Sequence, residues 1–109
     1  SPAVEEADWL GAHCYWENPD MLASVDGGQY YRRIPFRHKK LHITEFSNPA
    51  PNVPKTEKAM QYNQWMAGLS PDNRVVACYS FVATASSGFE SETWTNDMAD
   101  IVGARHGKI

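Results

Sequence analysis

Three apolar runs punctuate the chain: WLGAHCYW (residues 9–16), LHITEF (41–46) and VVACYSF (75–81). Each is short, rich in β-branched and aromatic types and bounded by turn formers, which is the pattern of strands rather than helices. Apolar residues occupy both alternating faces, as in parallel strands covered by helices. Between the second and third runs, Ala59, Tyr62, Met66 and Leu69 recur at helical spacing. Pro54 suits the first turn of that helix, and Gly68, Ser70 and Pro71 close it, so the spacing predicts a helix over 54–69. After the third run, Thr95 or Asn96 can cap a helix that carries Met98, Ile101 and Val102 on one side and ends at Gly107. A shorter helical piece is expected over 29–34, where Pro35 would cut it off.

Strand followed by helix, repeated at a spacing of about 30 to 35 residues, is the rhythm of βαβ units with right-handed crossovers. The expected fold class is therefore α/β, with three parallel strands in one domain covering 1–109. Such a sheet has two edges, and Leu, Ile, Thr, Val and Ala put little charge on them to discourage pairing. The edges predict a homo-oligomer or a place in a larger sheet.

Composition narrows the partners. The chain is 42% hydrophobic and 12% aromatic, as a folded globular domain is, and only 21% charged. A net charge of −3 provides no basic field, and the one basic cluster, RRIPFRHKK, is short, so no nucleic acid is expected. No apolar run approaches the length of a membrane span. The opening SPAVEEAD has neither the basic nor the apolar region of a signal peptide. Cys14 and Cys78 lie far apart, each inside an apolar run, and read as free buried thiols. No His, Cys or acidic pair has zinc-like spacing, and neither a metal nor another cofactor is expected.

The candidate chemistry sits in LHITEFSNP, where a strand ends on a single carboxylate, Glu45. The strand ends GAHCYW, ITEFSNP and CYSF, with the helix TEKAMQYNQWMAGL, resemble the last three βα units of the (β/α)8-barrel retaining glycoside hydrolases of clan A. The resemblance runs from Trp9 to about Arg105 and implies a partial TIM barrel, since a full one takes about 250 residues. By position, Glu45 matches the family's catalytic nucleophile, inside Ile43-Thr44-Glu45-Phe46. His13 and Tyr15 match the His-x-Tyr at the end of strand six, whose Tyr hydrogen-bonds the nucleophile. Phe81 stands where the family usually has a Trp beneath the sugar, and Trp94 is a substitute platform; Trp16 is a third aromatic that could stack on a sugar. The family's acid/base Glu follows an Asn at the end of strand four, outside the matched units. Glu17-Asn18 has the reverse order and follows strand six instead.

A retaining glycosidase needs two carboxyl groups about 5–5.5 Å apart, one attacking the anomeric carbon and one protonating the leaving oxygen. The implied function is hydrolysis of β-linked poly- or oligosaccharide, with Glu45 as nucleophile, Tyr15 and His13 positioning it, and the acid supplied by a missing barrel portion or another chain. The rival expectation is a catalytically silent module that self-associates and at most binds carbohydrate. Strict alternation along the second strand would send Glu45 into the barrel together with Leu41 and Ile43, leaving His42 and Thr44 facing the helices, with His42 buried.

Overall fold

The computed structural model describes residues 9–35, 38–69, 74–81 and 90–106. In chain order they form β1 (Trp9–Tyr15), a four-residue helix α1 (Pro19–Leu22), a 3₁₀ turn (Tyr30–Arg33), β2 (Lys40–Ser47), α2 (Lys55–Ala67), β3 (Val75–Ser80), a second 3₁₀ turn (Glu90–Glu92) and α3 (Asn96–His106). Among the described residues there is one three-stranded sheet in the order β1-β2-β3, and both pairings are parallel. The three expected strands and the α/β class are therefore present, as an open sheet.

Local chemistry sets the helix ends. α2 begins after Pro54, whose carbonyl accepts the Lys58 N–H at 3.0 Å, and stops at Gly68, whose N–H reaches back to Gln64 and Trp65. Of the two possible caps for α3, Thr95 is the one used: its Oγ1 accepts from the Met98 N–H at 3.3 Å, and its carbonyl from the Ala99 N–H. Gly107 lies outside the described residues. The piece expected over 29–34 forms only a 3₁₀ turn, because Ile34 precedes Pro35 and is held extended at φ −72°, ψ 118°. α1 was not anticipated. Asn18 Oδ1 caps it through the Met21 N–H at 3.1 Å, and Pro19 occupies its first position.

All the helices that build the core lie on one face of the sheet. Ala12 and Cys14 from β1 and Leu41, Ile43 and Phe46 from β2 pack against Ala59, Tyr62 and Trp65 of α2 and Met98 and Val102 of α3. Rings dominate this layer: Phe46 stacks on Trp65 with centroids 4.4 Å apart, and Trp16 stacks on Trp65 at 5.9 Å. Truncating Trp65 to Ala would cost about 3–5 kcal/mol on the scale of large-to-small core changes. The Trp65 indole N–H also donates to the Gly28 carbonyl, and a Cβ at Gly28 would collide with the Leu22 carbonyl oxygen, so the backbone of this turn is pressed against α1 and α2. Cys14 is buried and free as expected; Cys78 is free but only half-buried, because β3 is an edge strand.

The alternation expected along β2 fails at one residue. Ala12 pairs with Ile43, but the next residue of β1, His13, pairs with Glu45, which leaves Thr44 as the extra residue of a β-bulge. The Thr44 hydroxyl donates to the Ala12 carbonyl across the strands at 3.3 Å and holds the irregularity in place. Past the bulge, Phe46 and not Glu45 continues the buried row of Leu41 and Ile43. Glu45 thus shares its face with His13 and Tyr15, opposite Leu41 and Ile43. His42 is on that same face and only partly buried, stacked on Trp9 with centroids 4.3 Å apart.

Candidate active site at the carboxyl ends of the strands

In a parallel sheet the carboxyl ends of the strands form a common rim, the usual place for ligands in α/β proteins. Here the rim brings together three of the residues singled out in the sequence. The Tyr15 hydroxyl donates to Glu45 Oε1, and His13 Nε2 lies 3.4 Å from Glu45 Oε2. The Glu45 side chain is 29% exposed and His13 55%, so the carboxylate is partly sheltered yet reachable from solvent. Burial, the hydrogen bond to Glu45 and the charges of Glu45 and Glu92 all push the Tyr15 phenol above its ordinary range. The same causes favour the protonated phenol, the form that donates to the carboxylate. Phe81 approaches the Tyr15 ring edge-on at 6.4 Å and so belongs to the same cluster.

The other two aromatic candidates are placed differently. Trp16 is 2% exposed, with Trp65 stacked on it and Tyr62 packed edge-on, so it offers no free face for a sugar; that expectation is corrected. It was misread because the residue after Tyr15 turns toward the helices by strand parity. Trp94 is partly buried, stacks on Tyr62 at 5.7 Å and donates from its indole N–H to Ser80 Oγ at 2.7 Å. It braces the end of β3 against α2. Glu17 is exposed and lines a cleft with Tyr15, Trp16, Asn18, Met21 and Pro49.

Beneath the rim lies a buried polar network that sequence reading missed. The Asn48 N–H donates to the Tyr62 hydroxyl at 3.1 Å, which is also bonded to Ser47 Oγ at 3.2 Å. Asn48 Nδ2 and the Trp16 indole N–H both donate to Gln61 Oε1, at 2.7 and 2.9 Å, while Asn48 Oδ1 accepts from the Ala50 N–H at 3.0 Å. The loop that follows Glu45 is thereby tied to α2 and to the end of β1. The Ser-Asn-Pro after the strand signalled a turn, but its partners are 13 to 15 residues away on α2.

A second tie holds the turn after β3. Lys55 Nζ donates to the carbonyls of Glu90 and Thr93 at 2.7 and 2.6 Å, and Lys58 Nζ donates to that of Ser91. Burial lowers the Lys58 ammonium to about 8, with the charge of Lys55 adding to the effect and that of Glu92 opposing it. Among the described residues, no group of three His, Cys, Asp or Glu side chains is arranged to hold a metal, and no helix is long and apolar enough to cross a membrane.

No protein-family model, curated protein or solved structure matches this chain. Its functional reading rests on the chemistry of the Glu45 cluster.

Proposed function

We propose that the chain is the nucleophile-bearing part of a retaining glycoside hydrolase for β-linked poly- or oligosaccharide, a C-terminal portion in which β1, β2 and β3 correspond to strands six, seven and eight of a (β/α)8 barrel. One observation carries this reading: on adjacent parallel strands, at their carboxyl ends, a partly exposed carboxylate accepts a tyrosine hydroxyl and is flanked by a histidine. A nucleophilic carboxylate must stay ionised, and a hydrogen-bond donor aimed at the charged form favours that state. Glu45 attacks the anomeric carbon and forms a glycosyl ester; a second carboxyl group, from a missing barrel portion or another chain, protonates the leaving oxygen and then activates the water that hydrolyses the ester.

The test is mass spectrometry after incubation with activated 2-fluoroglycosides, which trap the ester. One added sugar mass on the peptide containing Glu45 is the expected result; no adduct across a panel of such sugars would overturn the assignment.

A second reading is favoured by the exposed apolar side chains of the two edge strands. Trp9 of β1 is 47% exposed, and Val76 and Tyr79 of β3 are 48% and 54% exposed. On this reading the chain is a catalytically silent module that completes its sheet with further copies of itself and at most binds carbohydrate. Sedimentation velocity decides it: a concentration-independent monomer would contradict self-association.

A further inference from the structure

Tyr15, whose hydroxyl meets Glu45, also lines a second feature of the rim. A cleft of about 280 Å³ lies between α1 and the loop after β2, lined by Tyr15, Trp16, Glu17, Asn18, Met21 and Pro49. We infer that this cleft binds a pyranose ring adjoining the sugar that reacts at Glu45, so that the substrate spans at least two linked rings. The inference rests on the reading of Glu45 as a sugar-reactive carboxylate and adds the seat of the neighbouring unit.

Composition of the lining argues for a sugar. Tyr15, Met21 and Pro49 present apolar surface, which suits the C–H face of a pyranose, while the Glu17 carboxylate accepts and the Asn18 amide nitrogen donates, as vicinal hydroxyls require. Size argues for a single ring, since pockets for drug-sized ligands begin at roughly 300 Å³. The walls are also held in place. Trp16 is locked by its bond to Gln61, Asn18 Oδ1 fixes the start of α1, and the Gly28 N–H donates to the Met21 carbonyl at 2.9 Å. Tyr15 is the common wall: its hydroxyl is on Glu45 and its ring lines the cleft. A disaccharide seated here would therefore place one ring in the cleft and the next against the carboxylate.

The experiment is a ¹⁵N–¹H NMR titration of the whole chain with cellobiose, laminaribiose and xylobiose, each up to its solubility limit. Saturating amide shifts confined to Glu17, Asn18 and Met21 are expected with at least one sugar. Glu17→Ala should weaken that sugar about tenfold, the scale of a hydrogen bond to a charged group, while Glu17→Gln, which keeps an acceptor, loses less. Glu45→Gln should leave the cleft shifts in place. Absence of shifts at these residues with all three sugars overturns the subsite, even if Glu45 is labelled by a 2-fluoroglycoside. Shifts at the cleft without any label at Glu45 would uphold sugar binding there and remove the nucleophile.

Discussion

Tyr62→Phe removes one oxygen from the centre of the network beneath Glu45. Tyr62 is fully buried, and the ring would remain where it is, stacked on Trp94 at 5.7 Å and met edge-on by Trp16 at 5.7 Å and Phe46 at 5.4 Å. No cavity forms, so the loss is polar. The Asn48 N–H, also fully buried, is left without the acceptor it has at 3.1 Å, and Ser47 Oγ loses its bonded neighbour. Leaving a buried donor unsatisfied costs about 1–3 kcal/mol, more than the net worth of an ordinary hydrogen bond, because the desolvation of the amide is no longer offset. With about 2 kcal/mol expected, a domain of this size should melt roughly 10 °C lower. Urea unfolding followed by tryptophan fluorescence would measure it, with the slope against denaturant unchanged. Alkaline pH supplies an independent check. Burial raises the Tyr62 phenol above its unfolded value of 10.0, so the stability it confers is complete below that pH and is lost as pH rises beyond it. The gap between wild type and Tyr62→Phe should accordingly narrow above pH 10. A variant within about 0.5 kcal/mol of wild type at pH 7, the ordinary scatter of surface changes, would show that this hydroxyl does not hold the loop.

Glu45→Gln is nearly isosteric and should abolish any glycosidase turnover while leaving the melting temperature unchanged; wild-type activity in that variant would take Glu45 out of the mechanism. Tyr15→Phe removes the hydroxyl that donates to Glu45 Oε1, so any glycosidase turnover should fall about tenfold, the scale of one hydrogen bond to a charged group; unchanged turnover would show that the Tyr15 hydroxyl does not serve the carboxylate. Lys58→Met tests the tie to the turn after β3. In wild type Lys58 titrates at about 8 when folded and 10.5 when unfolded, so between those values the unfolded chain binds more protons and this group's contribution to stability rises with pH. The stability of the variant minus that of wild type should therefore fall by about 1–3 kcal/mol between pH 8 and pH 10.5; a pH-independent difference in urea unfolding would contradict the buried ammonium.

Much of this arrangement was legible because it is local. The apolar runs identified the three strands, and helical spacing from Ala59 to Leu69 identified α2; burial was expected on both strand faces, but only the face carrying Ala12, Cys14, Leu41, Ile43 and Phe46 is covered by helices among the described residues. Asn18-Pro19 carried a readable cap and first-turn signal for α1, since both act within a few residues. What escaped was non-local. The Ser47, Asn48, Gln61 and Tyr62 network joins a loop to a helix, and no spacing rule links a tyrosine on α2 to an amide after β2. Trp16 and Trp94 looked like surface aromatics because each adjoins a turn, yet their partners come from α2 and β3, and those contacts decide which face of each ring is covered.

The bulge at Thr44 shows how magnitudes decide what counting cannot. A regular β2 in the same register at Leu41 and Ile43 would turn Glu45 toward Trp65 and Tyr62 and expose Phe46. Burying the carboxylate among those rings costs several kcal/mol, and withdrawing Phe46 from its stack on Trp65 forfeits about 1.5–3 kcal/mol more. Against this, inserting an extra residue disrupts the ladder by about one hydrogen bond, worth roughly 1 kcal/mol, and the Thr44 hydroxyl recovers part of that on the Ala12 carbonyl. The irregular strand is therefore the more stable one, and the same imbalance puts the only acid of β2 on the open face beside Tyr15 and His13. Core packing and site geometry are set here by a single residue: Phe46 is held in by the same bulge that turns Glu45 out.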